Sequence, residues 1–264
     1  MKKTSFTTML LAAIALAPFA QAGPPSDDYE LYWADEFEGE ALDGEKWGYH
    51  DLGYRRDGFN KIEMASLDGE GHLVLTTDQV GDEYHTVMIH TLDRFETTFG
   101  YFETRVDLQD EVGHWSAFWL QSPVLSGEGN IGDTHRYGTE IDIYEYLANM
   151  PFIHHMNLHW DGYGEHHKST GHKHRDESLP DGFHTIGLEW TPDEYVFFLD
   201  DEEVWRTEEA ISHRDQYIIL SLEVGEWAGE IADAQLPDSV IFDYVRVYKK
   251  PSQISGDEAK ANGQ

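Results

Sequence analysis

The stretch Glu140-Ile141-Asp142-Ile143-Tyr144-Glu145 sets three carboxyl groups among three strand-forming side chains. Paired carboxyls do acid–base and nucleophilic work at acetal carbons when one stays protonated and another ionised. In a regular strand alternate side chains share a face, so Glu140 and Asp142 point one way and Glu145 the other, with Ile141 and Ile143. A carboxylate on an apolar face is costly unless paired. One extra residue, a β-bulge near Ile143-Tyr144, restores the parity and puts all three acids on one face. Glu140 and Glu145 then stand roughly 13 Å apart at Cα. Two Glu side chains leaning together bring their carboxyls to about 5–5.5 Å, the separation used for double displacement with retention. Three crowded carboxyls cannot all ionise freely, so at least one pKa is expected to rise. The hexapeptide alone also fits the solvated outer face of an antiparallel strand, because acids fill 51 of the 264 positions.

Candidate partners surround this stretch. In His114-Trp115-Ser116-Ala117-Phe118-Trp119-Leu120, alternation puts Trp115, Ala117 and Trp119 on one face, a ridge on which sugar rings stack or a pair of core tryptophans. Asn157 and His159 share a strand face, as do Ser221 and Glu223 ahead of Trp227; each set is a cleft wall or a solvated strand. Arg55, Arg56 and Asn60 make a polar loop within reach of a distant sugar. Glu103 and Arg105, two apart, are expected to pair with each other. Eight of the fifteen His residues fall between His154 and His184. Without HExxH or any cysteine, zinc is a minor reading, and the Gly-containing His166–His174 segment is expected to be a rim loop.

The elements that must hold these groups are short. Alternating segments over 72–77, 101–108, 115–121, 140–146, 154–160, 184–190, 195–200, 217–224 and 240–248 are separated by Gly, Asp and Pro, with no long helical period. This pattern predicts an all-β sandwich or barrel. Residues 1–22 read as a signal peptide: Lys2 and Lys3, an apolar run from Met9 to Ala17, then Ala20-Gln21-Ala22. The apolar run is too short to span a bilayer. Residues 23–30 read as a linker and 251–264 as a polar, disordered tail. The chain has no cysteine, so an exported fold must rest on packing. A formal charge of −33 argues against nucleic acid, anionic membranes and heavily sulfated polymers as partners and suits a neutral one, although solubility alone also explains it.

Together these motifs resemble glycoside hydrolase family 16. Glu140 to Glu145 matches the bulged form of its catalytic signature. Gly100-Tyr101-Phe102-Glu103-Thr104-Arg105 with Trp115 to Leu120 resembles the strands that precede it, and Phe183 to Asp193 and Asp243 to Tyr248 resemble later landmarks. The resemblance runs from about Leu31 to Lys250 and marks 31–250 as the catalytic domain. It implies a two-sheet β-jelly-roll sandwich, concanavalin-like, with a concave substrate cleft. It implies Glu140 as nucleophile, Glu145 as general acid/base and Asp142 as the residue that tunes the nucleophile. Trp115, Trp119, Asn157, His159, Ser221, Glu223, Trp227 and Arg56 are the candidate substrate-binding residues. A structural calcium is implied on the convex face, where Glu36 and Asp243 stand at ligand positions; catalysis needs no cofactor.

Two departures from the family pattern are visible. Ser116 replaces a frequent Pro, and Ser221-Leu222-Glu223 replaces an Asn-centred sequence. The expectation is an exported, monomeric, retaining endo-glycosidase acting on β-1,3- or mixed β-1,3/1,4-glucan, without membrane or nucleic-acid partners. An agarase- or carrageenase-type galactan hydrolase, a transglycosylase and a non-catalytic lectin-like sandwich are the alternatives.

Overall fold

The computed structural model describes residues 23–261; the leader expected at 1–22 and the last three residues lie outside that range. Two antiparallel sheets face each other. The cleft-bearing sheet runs Lys168–Arg175, Ile153–Trp160, Glu140–Leu147, His114–Gln121, Gln216–Val224 and Glu83–His90 in spatial order. In the opposing sheet Asp238–Lys249 pairs with Gly100–Asp107 on one side and with Leu73–Val80 and Glu30–Asp35 on the other; Phe183–Trp190, Tyr195–Leu199 and Glu202–Thr207 continue it. A short parallel contact between Gly58–Asn60 and Glu83–His90 is the exception to the antiparallel rule among the described pairings. This is the expected jelly-roll sandwich. Each of the nine anticipated strands is present, with ends shifted by at most three residues.

Alternation explains why these residues form these sheets. Phe118, Leu120, Leu220 and Leu222 of the cleft sheet enter one core with Phe102, Val106, Leu188 and Phe242 of the other. Fully burying side chains of this size contributes about 1.5–3 kcal/mol each. Asp200 and Asp201, both at positive φ (48° and 68°), turn the hairpin between Tyr195–Leu199 and Glu202–Thr207. Asp tolerates that region better than most residues.

Three segments differ from the sequence expectation. Within the linker, Tyr29 is buried, its hydroxyl donates to Glu189 Oε1 at 2.7 Å, and its ring lies against Tyr101. The tail is helical over Pro251–Ala261. Proline suits the first helical position, and the buried Lys249 ammonium needs the charge that Asp257 of this helix supplies. The supposed rim loop is an edge strand, Lys168–Arg175, paired along its whole length with Ile153–Trp160. Its His and Lys residues belong to a strand with little burial, which gives it a loop-like composition. Among the described residues no helix is long and apolar enough to cross a membrane.

Candidate active site

The strand Glu140–Leu147 carries the bulge that its composition requires. Asp142 pairs with Asn157, and Glu145, three residues on, pairs with His155, only two residues back. On the other side Trp119 faces Asp142 and Phe118 faces Tyr144, so Ile143 is the additional residue. Ile141, Ile143, Tyr144 and Tyr146 all enter the core. Two consecutive inward side chains, Ile143 and Tyr144, return Glu145 to the outer face beside Glu140 and Asp142. All three acids line one cleft of about 520 Å³.

Each carboxyl has a distinct environment. Glu140 Oε2 accepts from Gln121 Nε2 at 2.8 Å and from the Tyr163 hydroxyl. Asp142 is held well above the usual carboxylate range by burial, then by the charges of Glu140 and Glu223. Its Oδ2 lies 3.4 Å from His159 Nε2. Glu145 is also pushed well above its ordinary range, by burial first and by Asp142 next, against the opposing hydrogen bond from Asn157. Asn157 Nδ2 donates to Glu145 Oε2 at 2.7 Å. That contact needs Gly171 across the strand pair, because a Cβ there would stand 2.2 Å from Asn157 Oδ1. The result is two buried carboxyls whose pKa values are pushed upward, beside a third that is hydrogen-bonded. This arrangement can give a proton to a leaving oxygen while another oxygen attacks carbon.

Trp115, Trp119, Ser221, Glu223 and Arg56 line the same cleft. The tryptophans do not form the open stacking ridge anticipated from alternation. Trp115 is 4% and Trp119 6% exposed. The Arg56 guanidinium covers the Trp115 ring at 5.2 Å, and Trp227 meets it edge-on. Trp119 Nε1 donates to Ser221 Oγ at 3.1 Å. Both indoles form the floor of the cleft. The half-exposed Trp227 lies in an adjoining hollow with Arg56 and Asp57. His159 bridges Asp142 and His167, with 2.9 Å between His159 Nδ1 and His167 Nε2.

Arg55, expected in a polar loop within reach of a distant sugar, does line the cleft; Gln121, Tyr163, Asp51 and His50 line it too and escaped sequence reasoning. Gln121 follows Trp119 at strand parity, the one signal that pointed to it. Tyr163 lies in the turn after Trp160, and nothing local marks it.

The remaining histidines disperse. His154 Nε2 bonds the Ile143 carbonyl, His172 stacks on Trp205 and His184 pairs with Asp200. Among the described residues, the one set of three His, Asp or Glu ligand atoms within 4.8 Å of one another is Glu140, Asp142 and His159. On the opposing sheet, Glu36 takes Arg246 through two contacts of 2.8 Å, and Asp243 takes Arg105 at 2.6 Å. Carboxylates so neutralised do not fit a hard cation as they stand. Glu103 bonds the Tyr244 hydroxyl and not Arg105.

The sequence model of the Glycosyl hydrolases family 16 matches residues 58–246. A β-glucanase of Rhodothermus marinus is 28% identical over 284 residues, covering 94% of this chain and 95% of its own. A keratan-sulfate endo-1,4-β-galactosidase of Sphingobacterium multivorum is 29% identical over 275 residues, covering 97% of this chain; the chain spans 61% of that protein. Among solved structures, SCLam, a non-specific endo-β-1,3(4)-glucanase from family GH16, superposes with a TM-score of 0.70 at 27% identity, covering 85% of this chain and 92% of its own. With the family's match extending over the sheet pair and the bulged acidic strand, the chain belongs to glycosyl hydrolase family 16 and is a glycoside hydrolase.

Proposed function

We propose that the protein is an exported, retaining endo-hydrolase of β-linked glucan, cutting β-1,3 or mixed β-1,3/1,4 linkages. The observation that carries the mechanism is the bulge at Ile143, which turns Glu140 and Glu145 into one cleft with Asp142 between them. Glu140 attacks the anomeric carbon as Glu145 protonates the departing oxygen. The glycosidic C–O bond breaks and an ester to Glu140 forms. Glu145, now ionised, takes a proton from water, which attacks the same carbon and frees Glu140. Asp142 sits between them, and burial together with the charges of Glu140 and Glu223 raises its pKa, which disfavours a further negative charge there. The glucan assignment is supported by the Rhodothermus β-glucanase and by SCLam; export is supported by the composition of residues 1–22.

A β-galactan is the second reading, favoured by the Sphingobacterium relative. Product analysis over laminarin, lichenan, agarose, carrageenan and xyloglucan decides between the two readings. Glu140→Gln is expected to abolish hydrolysis and leave the thermal unfolding midpoint within a few degrees. Full activity in that variant would remove Glu140 from the chemistry. Release of the inverted anomer by the wild type, read by NMR, would exclude double displacement.

A further inference from the structure

We propose that Glu223 is a specificity-determining residue that restricts the cleft to uncharged glycan carrying a free hydroxyl on the sugar beside Trp115. The inference rests on the glycan-cleaving reading above and narrows its substrate class. Glu223 stands on the outward face of Gln216–Val224, directly across from Trp115 and two residues beyond Ser221. Its side chain is 7% exposed and lines the cleft. Burial of that kind demands partners, and Glu223 has two. Oε2 accepts from Arg55 Nε at 2.7 Å and from Arg56 Nε at 3.0 Å. Arg55 Nη1 also donates to Asp51 Oδ2 at 3.0 Å.

This cluster reverses what two adjacent arginines suggest. Arg55 and Arg56 look like an anion receptor, but Glu223 and Asp51 match them charge for charge. Arg56 is fixed further over the Trp115 ring. The catalytic side of the same cleft adds Glu140, and neither Asp142 nor Glu145 brings a positive charge. Glu223 Oε1 makes no hydrogen bond among the described residues, and a carboxylate accepts only from donors. A sugar hydroxyl satisfies it. A sulfate ester or uronate at that position brings acceptors and negative charge against Glu223, Asp51 and Glu140. A site built around a hydroxyl rejects analogues lacking it far more strongly than an apolar pocket rejects a change of size. Glu223 therefore does two things: it binds the hydroxyl, and it neutralises two guanidinium groups that would otherwise face the ligand.

Binding tests this without turnover. In a Glu140→Gln background, the affinities of a laminarin oligosaccharide and of the same oligosaccharide chemically sulfated are measured by calorimetry, with and without Glu223→Gln. The neutral ligand is expected to bind at least tenfold tighter. Adding Glu223→Gln should weaken neutral binding at least tenfold and narrow the neutral-to-sulfated ratio by a further tenfold, because the arginines are released. Tighter binding of the sulfated ligand, or neutral affinity unchanged within twofold in the double variant, overturns the proposal. If the double variant does not fold, the neutral-to-sulfated ratio of the Glu140→Gln protein decides alone. Failure of the glycosidase reading shows separately, as absence of hydrolysis by the wild type over the polymer panel.

Discussion

Glu140 is gripped by one oxygen. Gln121 Nε2 and the Tyr163 hydroxyl both donate to Oε2, and Gln121 is itself held by the Tyr217 hydroxyl. Two donors on one oxygen leave the other lone pairs for the attack proposed above, and they hold the side chain in one rotamer. Charge-assisted hydrogen bonds of this kind contribute about 1.5–3 kcal/mol. Tyr163 is half-exposed, so its hydroxyl has little to do with the fold. Tyr163→Phe and Gln121→Leu are each expected to lower kcat by about 10- to 100-fold, with KM changed less and, for Tyr163→Phe, an unaltered unfolding temperature. Steady-state kinetics beside thermal melts check this. A fall in stability without a fall in kcat would mean that the contacts serve packing.

At the scale of elements, the acidic strand was readable because its acids made a regular strand untenable: parity alone demanded a bulge, and the bulge lies at Ile143. Strand positions were readable for the same reason, since inward and outward residues alternate along nearly every segment. Contacts between distant strands were not readable. Glu103 and Arg105 are neighbours two apart, yet their partners, Tyr244 and Asp243, come from the adjacent strand Asp238–Lys249, where facing side chains approach more closely than i and i+2. The edge strand Lys168–Arg175 hid behind a polar composition, and its use lies in Gly171, which admits the Asn157 side chain toward Glu145. The Asn157 donor stabilises the ionised form of Glu145. Asn157→Ala should therefore raise the pKa of Glu145 further, and, with Glu145 as the proposed general acid, the basic limb of the kcat/KM profile should move to higher pH. Gly171→Ala should produce the same shift by displacing Asn157. An unmoved basic limb in both variants would separate this hydrogen bond from the acid's titration.

The whole molecule carries a formal charge of −33, and several of its acids are buried in ways that make stability depend on pH. Composition revealed the charge but not which carboxyls titrate late, because that depends on what each sheet covers. Glu103 is the clearest case outside the cleft. It is fully buried, its Oε1 accepts from the Tyr244 hydroxyl at 2.9 Å, and among the described residues its Oε2 shows no partner within hydrogen-bond geometry. Burial pushes its pKa up to about 7, against the Tyr244 hydrogen bond and the charge of Arg246. An unfolded Glu titrates near about 4.3. The folded state thus holds this proton more tightly, and the benefit is complete below the unfolded value. It is lost as pH rises through the folded one, by about 3.5–4 kcal/mol in all, most of it between pH 5 and pH 8. Asp142 and Glu145 act in the same direction, so acid should stabilise the fold down to about pH 5. Glu103→Gln isolates one contribution. Urea unfolding at pH 5 and pH 8, in ~0.5 M salt to screen the general self-repulsion, should show the wild type losing about 3 kcal/mol more than the variant between the two pH values. Equal losses in the two proteins would mean that Glu103 is already ionised in the folded chain at pH 5, and the neutral carboxyl inferred from its burial would have to be abandoned.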